Sequence, residues 1–334
     1  MKVLLTKPFF ETDVEYIKSK LDENIRLIIP QSFDTEAIQE EAKDADVLLG
    51  GMISEAILQE AKKLKFIQIP WTGVDNLNFE LLAKYNTVVC NSHSNATIVA
   101  EHAIALMLDA AKKISYHDRL MRKGNWNRPG INLENKLTPF SKPINKSTIA
   151  IVGYGSIGKK IQQFLSGFEC NFKIFNRELK QDLKKELKIS YFSVEDLENE
   201  LHDVDFVFIS VPLTEVTRGF VDNTFFSAMN ENGVLINISR GEVLNENDLY
   251  QCLNENKIGY AAIDTWYNYP SKDNPIAFPS LKNNFQELDN IILSPHRAGY
   301  INSGFPHLDD AIENLNRQNR GEDLKNIISI DKKY

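Results

Sequence analysis

Cysteine is scarce in this chain, and its three cysteines form no pattern. Cys90, Cys170 and Cys252 lie far apart in the 334 residues and show neither metal-ligand spacing nor a disulfide framework. Such sparse cysteine use is typical of a reducing compartment. We therefore expect a cytoplasmic location and no metal site.

Long hydrophobic runs and excess positive charge are also absent. No apolar run approaches the roughly 20 residues that span a bilayer, and the start of the chain has too few apolar residues for a signal peptide. The chain has 38 Lys and Arg against 46 Asp and Glu, a net charge of −8. This charge gives no electrostatic basis for binding nucleic acid or a membrane surface, so we expect neither as a partner.

The chain does contain two stretches in which predicted strands and helices alternate. One covers residues 1–95 and the other begins near residue 148. Between them we predict a long helix, Thr97–Lys123, and an exposed connection over residues 127–146. Alternation of this kind predicts an α/β protein in which parallel sheets carry helices on both faces. The length allows two domains of ordinary size.

A glycine-rich turn opens the second stretch. The run Gly153-Tyr-Gly155-Ser-Ile-Gly158 follows a short apolar strand and precedes residues with helical spacing. In that context Gly-x-Gly-x-x-Gly is typical of dinucleotide binding, because the glycines let the backbone approach a pyrophosphate at a helix N-terminus. Its position in the middle of the chain means that a sizeable unit precedes it.

The residues that would hold the adenosine ribose carry no acid. Asn176 and Arg177 stand about eighteen positions after Gly158, where an Asp or Glu usually binds the ribose hydroxyls. Arg177 can pair with a 2′-phosphate. We therefore favour NADP over NAD, while a hydrogen bond from Asn176 to the ribose leaves NAD possible.

Several later strands end in polar or charged residues. One strand ends Ile-Ser-Val-Pro212-Leu-Thr214, and Arg240, Asp264 and His296 each follow an apolar run. A lone Arg or His at a strand end is more often structural than catalytic. Four such ends beside a dinucleotide turn favour catalysis, because ligands of open parallel sheets bind beyond the carboxyl ends of the strands.

These residues together resemble the D-isomer-specific 2-hydroxyacid dehydrogenases. The matching segments occur in family order from about residue 45 to 320 and comprise Thr72–Asp75, Asn95–His102, Gly153–Gly158, Val211–Gly219, Met229–Gly241, Asp264 and Ser294–Gly299. The resemblance implies two Rossmann-like, doubly wound parallel-sheet domains with the active site in the cleft between them. The substrate domain would be flavodoxin-like and discontinuous (1–97 and 300–334), and the dinucleotide-binding domain would cover 98–299. It also implies a homodimer whose interface includes the long helix and the loop after it.

The resemblance also implies the site residues. Arg240 would bind the carboxylate or carbonyl oxygen of a small 2-oxo acid, and His296 would be the general acid and base. Asp264 would contact the nicotinamide end of the cofactor. Backbone N–H groups of Gly51, Met52, Gly73 and Val74 would bind the substrate carboxylate. The cofactor-binding residues would be Gly153, Tyr154, Gly155, Ser156, Ile157, Gly158, Asn176, Arg177, Val211, Pro212, Thr217, Ile238, Ser239, Asp264 and Ala298.

Tyr269 departs from the family pattern. Most members have a glutamate at this position, paired with the histidine, and formate dehydrogenases have a glutamine. A carboxylate about 4 Å from an imidazolium contributes about 4 kcal/mol at an effective dielectric of 20, and tyrosine lacks that charge. We therefore expect His296 to be less basic than in the relatives, and we include Tyr269 among the catalytic residues. Another acid in the loop 267–286 remains an alternative partner of His296.

Three other functions remain open at this stage. Phosphoglycerate dehydrogenase is disfavoured by Met52, which stands where a basic residue would bind a phosphate. A formate-dehydrogenase-like enzyme is suggested by the neutral residue at 269. The third is a non-catalytic NAD(P)-sensing interaction protein, as in the C-terminal-binding co-repressors.

Overall fold

The chain forms two compact units. The computed structural model describes residues 1–126, 128, 141–177, 189–302 and 304–334. Unit 1 comprises Met1–Asn95 and Ile301–Tyr334, and unit 2 comprises Ala96–Tyr300.

Unit 1 contains a five-stranded parallel sheet with the order β2-β1-β3-β4-β5. This is the flavodoxin-like order, whose topological switch point lies between β1 and β3. The strands are β1 Lys2–Leu5, β2 Arg26–Ile28, β3 Val47–Leu49, β4 Phe66–Gln68 and β5 Val89–Cys90, and the helices before residue 96 are α1 Glu11–Lys20, α2 Thr35–Ala42, α3 Glu55–Glu60 and α4 Phe79–Lys84.

The alternation of side chains along these strands builds two apolar layers, one on each face of the sheet. Leu4, Leu48 and Ile67 belong to one buried cluster. Val3 and Val47 belong to the other. Burial on both faces explains why the inner strands β1, β3 and β4 are mostly apolar.

Unit 2 contains a seven-stranded parallel sheet with the order β12-β11-β10-β9-β6-β7-β8. This is the Rossmann order with one added strand, and its switch point lies between β6 and β9. The strands are β6 Thr148–Val152, β7 Asn171–Asn176, β8 Ile189–Ser193, β9 Phe206–Ile209, β10 Val234–Asn237, β11 Tyr260–Ile263 and β12 Ile291–Leu293. Two doubly wound parallel sheets confirm the predicted fold class.

The helices of unit 2 correct one prediction. They are α5 Ala96–Lys112, α6 Ile114–Met121, α7 Ser156–Leu165, α8 Leu197–Glu200, α9 Asn223–Ala228 and α10 Glu246–Asn254, after which α11 Pro306–Arg320 returns the chain to unit 1. The single long helix Thr97–Lys123 is wrong, because Lys113 adopts a left-handed conformation (φ 57°) between α5 and α6. The Asp109 carboxylate accepts the Ser115 N–H at 2.7 Å and stabilises this break.

Two further points concern the described part of the chain. Strand β8 was not predicted from the sequence. The sequence also predicts a helix over residues 179–187, which lie outside the described residues. Among the helices described here, none combines the length and apolar character needed to span a membrane.

Candidate active site

The three glycines of the turn after β6 are explained by three different constraints. Gly153 has φ +94°, and a Cβ there would lie 2.8 Å from the Ser210 carbonyl oxygen. A Cβ on Gly158 would lie 2.4 Å from the Gly153 carbonyl oxygen, so this glycine allows α7 to pack closely on the turn. A Cβ on Gly155 meets nothing within 4 Å in the described residues. Neither strain nor packing therefore explains Gly155, and its predicted role beside a pyrophosphate stays a prediction.

The turn lies at the switch point and is tied to the neighbouring strand. The Ser210 hydroxyl, after β9, donates to the Gly153 carbonyl at 2.7 Å. The Tyr154 hydroxyl donates to Gln162 Oε1 at 3.3 Å, within the first turns of α7. The remaining predicted cofactor residues of the turn, Ser156 and Ile157, begin α7.

Other predicted cofactor residues follow the neighbouring strands. Val211 and Pro212 lie just after β9, and the Thr217 hydroxyl donates to the Pro212 carbonyl at 2.7 Å, which closes this loop. Asn176 ends β7 and Arg177 follows it, exposed to solvent. Neither residue is an acid, and Glu178, which comes next in the sequence, lies outside the described residues.

Arg240 lies in a loop that the buried Asn237 organises. The Asn237 side chain is fully buried at the end of β10. Its Oδ1 accepts the Ser239 N–H at 3.0 Å and the Ser239 hydroxyl at 2.7 Å, while its Nδ2 donates to the Arg240 carbonyl at 3.0 Å. Ser239 and Arg240 are thereby fixed at the carboxyl end of β10, and Ile238 lies between Asn237 and Ser239. One amide side chain thus sets the backbone that presents the Arg240 guanidinium.

Asp264, after β11, fixes the loop that carries His296. Its carboxylate accepts the Ser294 hydroxyl at 2.5 Å, the Arg297 N–H at 2.8 Å and the Ala298 N–H at 3.1 Å. His102 Nε2 lies 3.4 Å from Asp264 Oδ1. The side chain is only 1% exposed, so the predicted contact with nicotinamide stays a prediction.

The same contacts set the charge of Asp264. Burial alone would raise the pKa of this carboxyl, but the hydrogen bonds from His102, Ser294 and the two backbone N–H groups hold the pKa below its usual value. The group therefore stays ionised at neutral pH, and the charge strengthens its hold on the loop.

His296 has a left-handed backbone, with φ +56°. This conformation is uncommon for a residue with a Cβ and persists only where the surroundings fix it, as Asp264 does on the next two residues. The Tyr269 ring lies beside the His296 ring, with centroids 5.6 Å apart and planes inclined at 50°. The Tyr269 hydroxyl accepts the Trp266 N–H at 3.0 Å. Trp266 in turn donates its indole N–H to the Ser294 carbonyl at 2.8 Å.

The predicted substrate residues of unit 1 follow β3 and β4. Gly51 and Met52 come after β3, and Gly73 and Val74 come after β4. In residues 1–126 and the other described segments, the backbone N–H groups of these four residues have no hydrogen-bond acceptor. Unpaired N–H groups on two neighbouring loops can bind an anion.

The sequence analysis did not identify four residues that hold the loops of the candidate site: His102, Asn237, Trp266 and Ser294. Asn237 has a sequence signal, since it is a polar residue at the end of an apolar strand. His102 and Ser294 stand inside motifs that the family resemblance already included, but their pairing through Asp264 is not visible from sequence spacing. No group of three or more His, Cys, Asp or Glu in the described residues could hold a metal ion.

Known proteins of similar sequence show the family of this chain. The family model for the D-isomer specific 2-hydroxyacid dehydrogenase, NAD binding domain, matches residues 104–298, more than half of the chain. The chain is 30% identical to a glyoxylate reductase of Pyrococcus furiosus, over 88% of this chain and 85% of that protein. It is 28% identical to a D-3-phosphoglycerate dehydrogenase of Methanocaldococcus jannaschii, over 99% of this chain. This chain spans about 60% of the length of that protein.

A solved structure shows the same fold. It is a probable 2-hydroxyacid dehydrogenase from Rhizobium etli CFN 42 in complex with NADP, HEPES and L(+)-tartaric acid, with a TM-score of 0.80 and 20% identity. The match covers 100% of this chain and 99% of that one.

Proposed function

Because this chain belongs to the D-isomer specific 2-hydroxyacid dehydrogenase family, we propose that it transfers a hydride between NAD(P) and a small 2-oxo acid, with a D-2-hydroxy acid as the reduced product. One observation carries the proposal. The glycine turn after β6, Arg240 after β10 and His296 after β12 lie at the same carboxyl edge of one parallel sheet. This is the edge at which ligands of such sheets bind.

The dinucleotide supplies the hydride when it is bound. Gly153, Gly155 and Gly158 would hold its pyrophosphate, together with the N-terminus of α7. The loop residues Val211, Pro212, Thr217, Ile238, Ser239 and Ala298 would line the rest of its path, and Asp264 would face the nicotinamide end. The open space at Gly155 fits this occupant.

The side chains of unit 2 would perform the polar part of the reaction. The Arg240 guanidinium binds the substrate oxygens and stabilises negative charge that develops on the carbonyl oxygen. The His296 imidazolium donates its proton to that oxygen as the carbonyl carbon receives the hydride. In the reverse direction the neutral imidazole accepts the hydroxyl proton. In unit 1, the unpaired N–H groups of Gly51, Met52, Gly73 and Val74 bind the substrate carboxylate.

NADP is the favoured cofactor in this proposal. The end of β7 offers Asn176 and the exposed Arg177, whose guanidinium can pair with a 2′-phosphate. We expect Arg177→Ala to raise the KM for NADPH about tenfold and to change the KM for NADH little. A wild-type enzyme that clearly prefers NADH would show that this assignment is wrong.

We also propose a homodimer in the cytoplasm. Helices α5 and α7 present Ile104, Leu108 and Phe164 around a shallow apolar groove, and Ile114 and Met121 of α6 are exposed. Such a surface is typical of a protein interface. Sedimentation equilibrium should give twice the chain mass. The cysteines are free and buried, which fits a reducing compartment.

The decisive experiment is a turnover panel. Purified protein is mixed with NADH or NADPH and with 2-oxo acids of increasing size, and cofactor oxidation is followed at 340 nm. We expect turnover with a D-hydroxy acid as product. His296→Gln should lower kcat by about 10²- to 10⁴-fold. Tight cofactor binding without turnover on any 2-oxo acid would instead favour an NAD(P)-sensing protein.

A further inference from the structure

Lys7 stands at the switch point of the unit 1 sheet. It follows β1, and Gly50, Gly51 and Met52 follow the adjacent strand β3. A Cβ on Gly50 would lie 3.2 Å from Lys7 Cγ, so the lysine stem runs directly beside this loop. The switch point between β1 and β3 is where ligands bind in flavodoxin-like sheets.

The Lys7 ammonium is half-buried beside aromatic rings. Lys7 Nζ lies 4.3 Å from the centroid of the Trp71 ring and 5.8 Å from that of Phe9. Trp71 itself lies against the β3 loop, since a Cβ on Gly51 would come within 2.8 Å of its ring. Lys7, Trp71 and Gly51 therefore form one continuous surface, which we call the Lys7 shelf.

No anion of the described chain pairs with this ammonium. No carboxylate lies within 4.0 Å of Lys7 Nζ in the described residues, and no hydrogen-bond acceptor contacts it. Burial lowers the pKa of Lys7, and the charge of Asp13 only partly offsets this effect. Asp13 caps α1, where its carboxylate accepts the Phe10 N–H at 3.3 Å. The other titratable neighbour, His307, cannot supply a negative charge.

A second polar group beside the shelf also lacks a partner. The Thr6 hydroxyl is fully buried, and its oxygen has no hydrogen-bond partner among the described residues. A Cβ on Gly50 would lie 2.5 Å from this oxygen. A cation and a buried hydroxyl thus lie at the end of β1, beside the β3 loop that carries the unpaired N–H groups of Gly51 and Met52.

We propose that Lys7 is a specificity-determining residue that binds a second anionic group, a carboxylate or a phosphate, at the end of the substrate remote from the reacting carbonyl. The inference rests on the proposed function and narrows its substrate class to 2-oxo acids with two anionic groups. In a substrate with a single carboxylate, the loop N–H groups of unit 1 and Arg240 would bind that carboxylate. The Lys7 ammonium would then have no anionic partner. Lys7 would also supply near the β3 loop the positive charge that Met52 does not.

Matched substrate pairs test this proposal. 2-Oxoglutarate is compared with 2-oxopentanoate, and 3-phosphohydroxypyruvate with hydroxypyruvate, so that each pair differs in one terminal anion. We expect the wild type to prefer the doubly anionic member of at least one pair. Lys7→Met should lower that preference in kcat/KM by about 10- to 100-fold, and Lys7→Arg should restore most of it. The pair that responds identifies the anion as carboxylate or phosphate.

The control is Lys2→Met, which removes a lysine from the opposite end of the same strand. It should leave the preference unchanged. Equal losses for both members of each pair in Lys7→Met, or no preference in the wild type, would overturn the proposal.

A binding measurement separates this proposal from the proposed function. Succinate or inorganic phosphate should raise the unfolding temperature of the wild type and of Lys2→Met but not that of Lys7→Met. If no 2-oxo acid is turned over while this difference persists, the anion site stands and the proposed function fails. If turnover occurs but neither anion stabilises the wild type, the anion site is refuted and the proposed function stands.

Discussion

The carboxyl edges of the two sheets differ in how far their own polar groups are satisfied. In unit 2, the buried side chains of Asn237 and Asp264 accept or donate hydrogen bonds that hold the Arg240 and His296 loops. In unit 1, the loop N–H groups have no hydrogen-bond acceptor among the described residues, and the Lys7 ammonium lies beside aromatic rings with no carboxylate within 4.0 Å there. The first edge is organised before a ligand arrives, and the second is complementary to an anion that the ligand must bring.

This difference has an energetic basis. Donors and acceptors fixed by buried hydrogen bonds need no reorganisation when charge develops on a substrate. Unpaired groups near solvent cost little until they are desolvated, and a substrate anion then satisfies them. We therefore expect variants in unit 2 to change stability and kcat together, and variants on the Lys7 shelf to change substrate choice.

Among the variants that test this difference between the two units, Asp264→Asn should have the largest effect on stability and kcat. The amide has only one acceptor oxygen, so one of the Arg297 and Ala298 N–H groups loses its partner in a buried site. An unfulfilled buried hydrogen bond costs about 1–3 kcal/mol of stability. We also expect kcat to fall by about 100-fold, because the His296 backbone loses its anchor. Urea unfolding and single-turnover kinetics measure the two effects.

The matched control is Asp289→Asn, an exposed carboxylate in the turn before β12. It should change neither quantity. A variant Asp264→Asn with native stability and a native kcat would show that the loop holds its shape without the carboxylate.

The next prediction uses two glycines of the turn after β6 to separate a loss of cofactor affinity from a loss of stability. Gly158→Ala places a Cβ against the Gly153 carbonyl, and we expect a loss of about 1–3 kcal/mol in stability. Gly155→Ala meets open space, so its unfolding temperature should match the wild type. Its affinity for NADPH should nevertheless fall at least tenfold, because the methyl group occupies the path of the pyrophosphate.

Thermal unfolding and fluorescence titration with NADPH provide both readouts. If Gly155→Ala binds NADPH as well as the wild type does, the open space at this position does not mark the pyrophosphate.

How much of this contrast the sequence predicts differs between the two units. The fold class is confirmed, and the turn from Gly153 to Gly158 and the charged residues at strand ends are local patterns that follow β6, β10, β11 and β12 in the structure; their roles stay predictions. The break at Lys113 was not predicted, since it depends on the Asp109 carboxylate, which captures the Ser115 N–H. Apolar periodicity continues through the break and carries no signal for it.

Side-chain networks were the other part that the sequence could not supply. His102 and Asp264 are 162 positions apart, and their contact exists only because α5 passes beside the end of β11. Lys7 was missed for a similar reason. A lysine after a first strand is common on surfaces, and only the rings of Trp71 and Phe9 show that it is half-buried.

Tyr269→Glu should produce a smaller change, confined to pH dependence. The ring of Tyr269 contacts the His296 ring but carries no charge at neutral pH. A glutamate there would stabilise the imidazolium, which reduction of a 2-oxo acid requires. The decline of kcat for reduction should therefore move to higher pH, by about one unit.

Tyr269→Phe is the control, because it keeps the ring contact and removes only the hydroxyl that accepts the Trp266 N–H. Its profile should overlay that of the wild type. If the profile of Tyr269→Glu also overlays it, another acid already serves His296.

The smallest effect concerns Lys113, which resembles Lys7 in its surroundings but not in its place. Its ammonium lies 3.4 Å from the centroid of the Tyr260 ring, and Tyr260 begins β11 at the amino edge of the sheet. Burial lowers the pKa of Lys113 to about 8, with Asp109 raising it and Lys142 lowering it further. If burial of an ammonium beside an aromatic ring were enough for a lysine to bind a substrate anion, Lys113 would also bind one.

The pH dependence of stability distinguishes the two lysines. Between pH 8 and the ordinary lysine pKa of 10.5, the unfolded chain binds the Lys113 proton more tightly than the folded chain does. Wild-type stability therefore gains with rising pH from this group, by about 1 kcal/mol when partial solvent access is considered. The pKa of Tyr260 is raised from 10.0 to about 12, so the unfolded chain loses this phenol proton first and Tyr260 opposes the gain near the upper end of the window, in the wild type and the variants alike.

Lys113→Met should lose this gain, while the exposed Lys123→Met should keep it, as measured by urea unfolding at pH 7.5 and 10. Neither variant should change the preference between 2-oxoglutarate and 2-oxopentanoate. If Lys113→Met altered that preference as we expect Lys7→Met to do, a buried lysine would not need to lie at the carboxyl edge of a sheet to affect substrate choice.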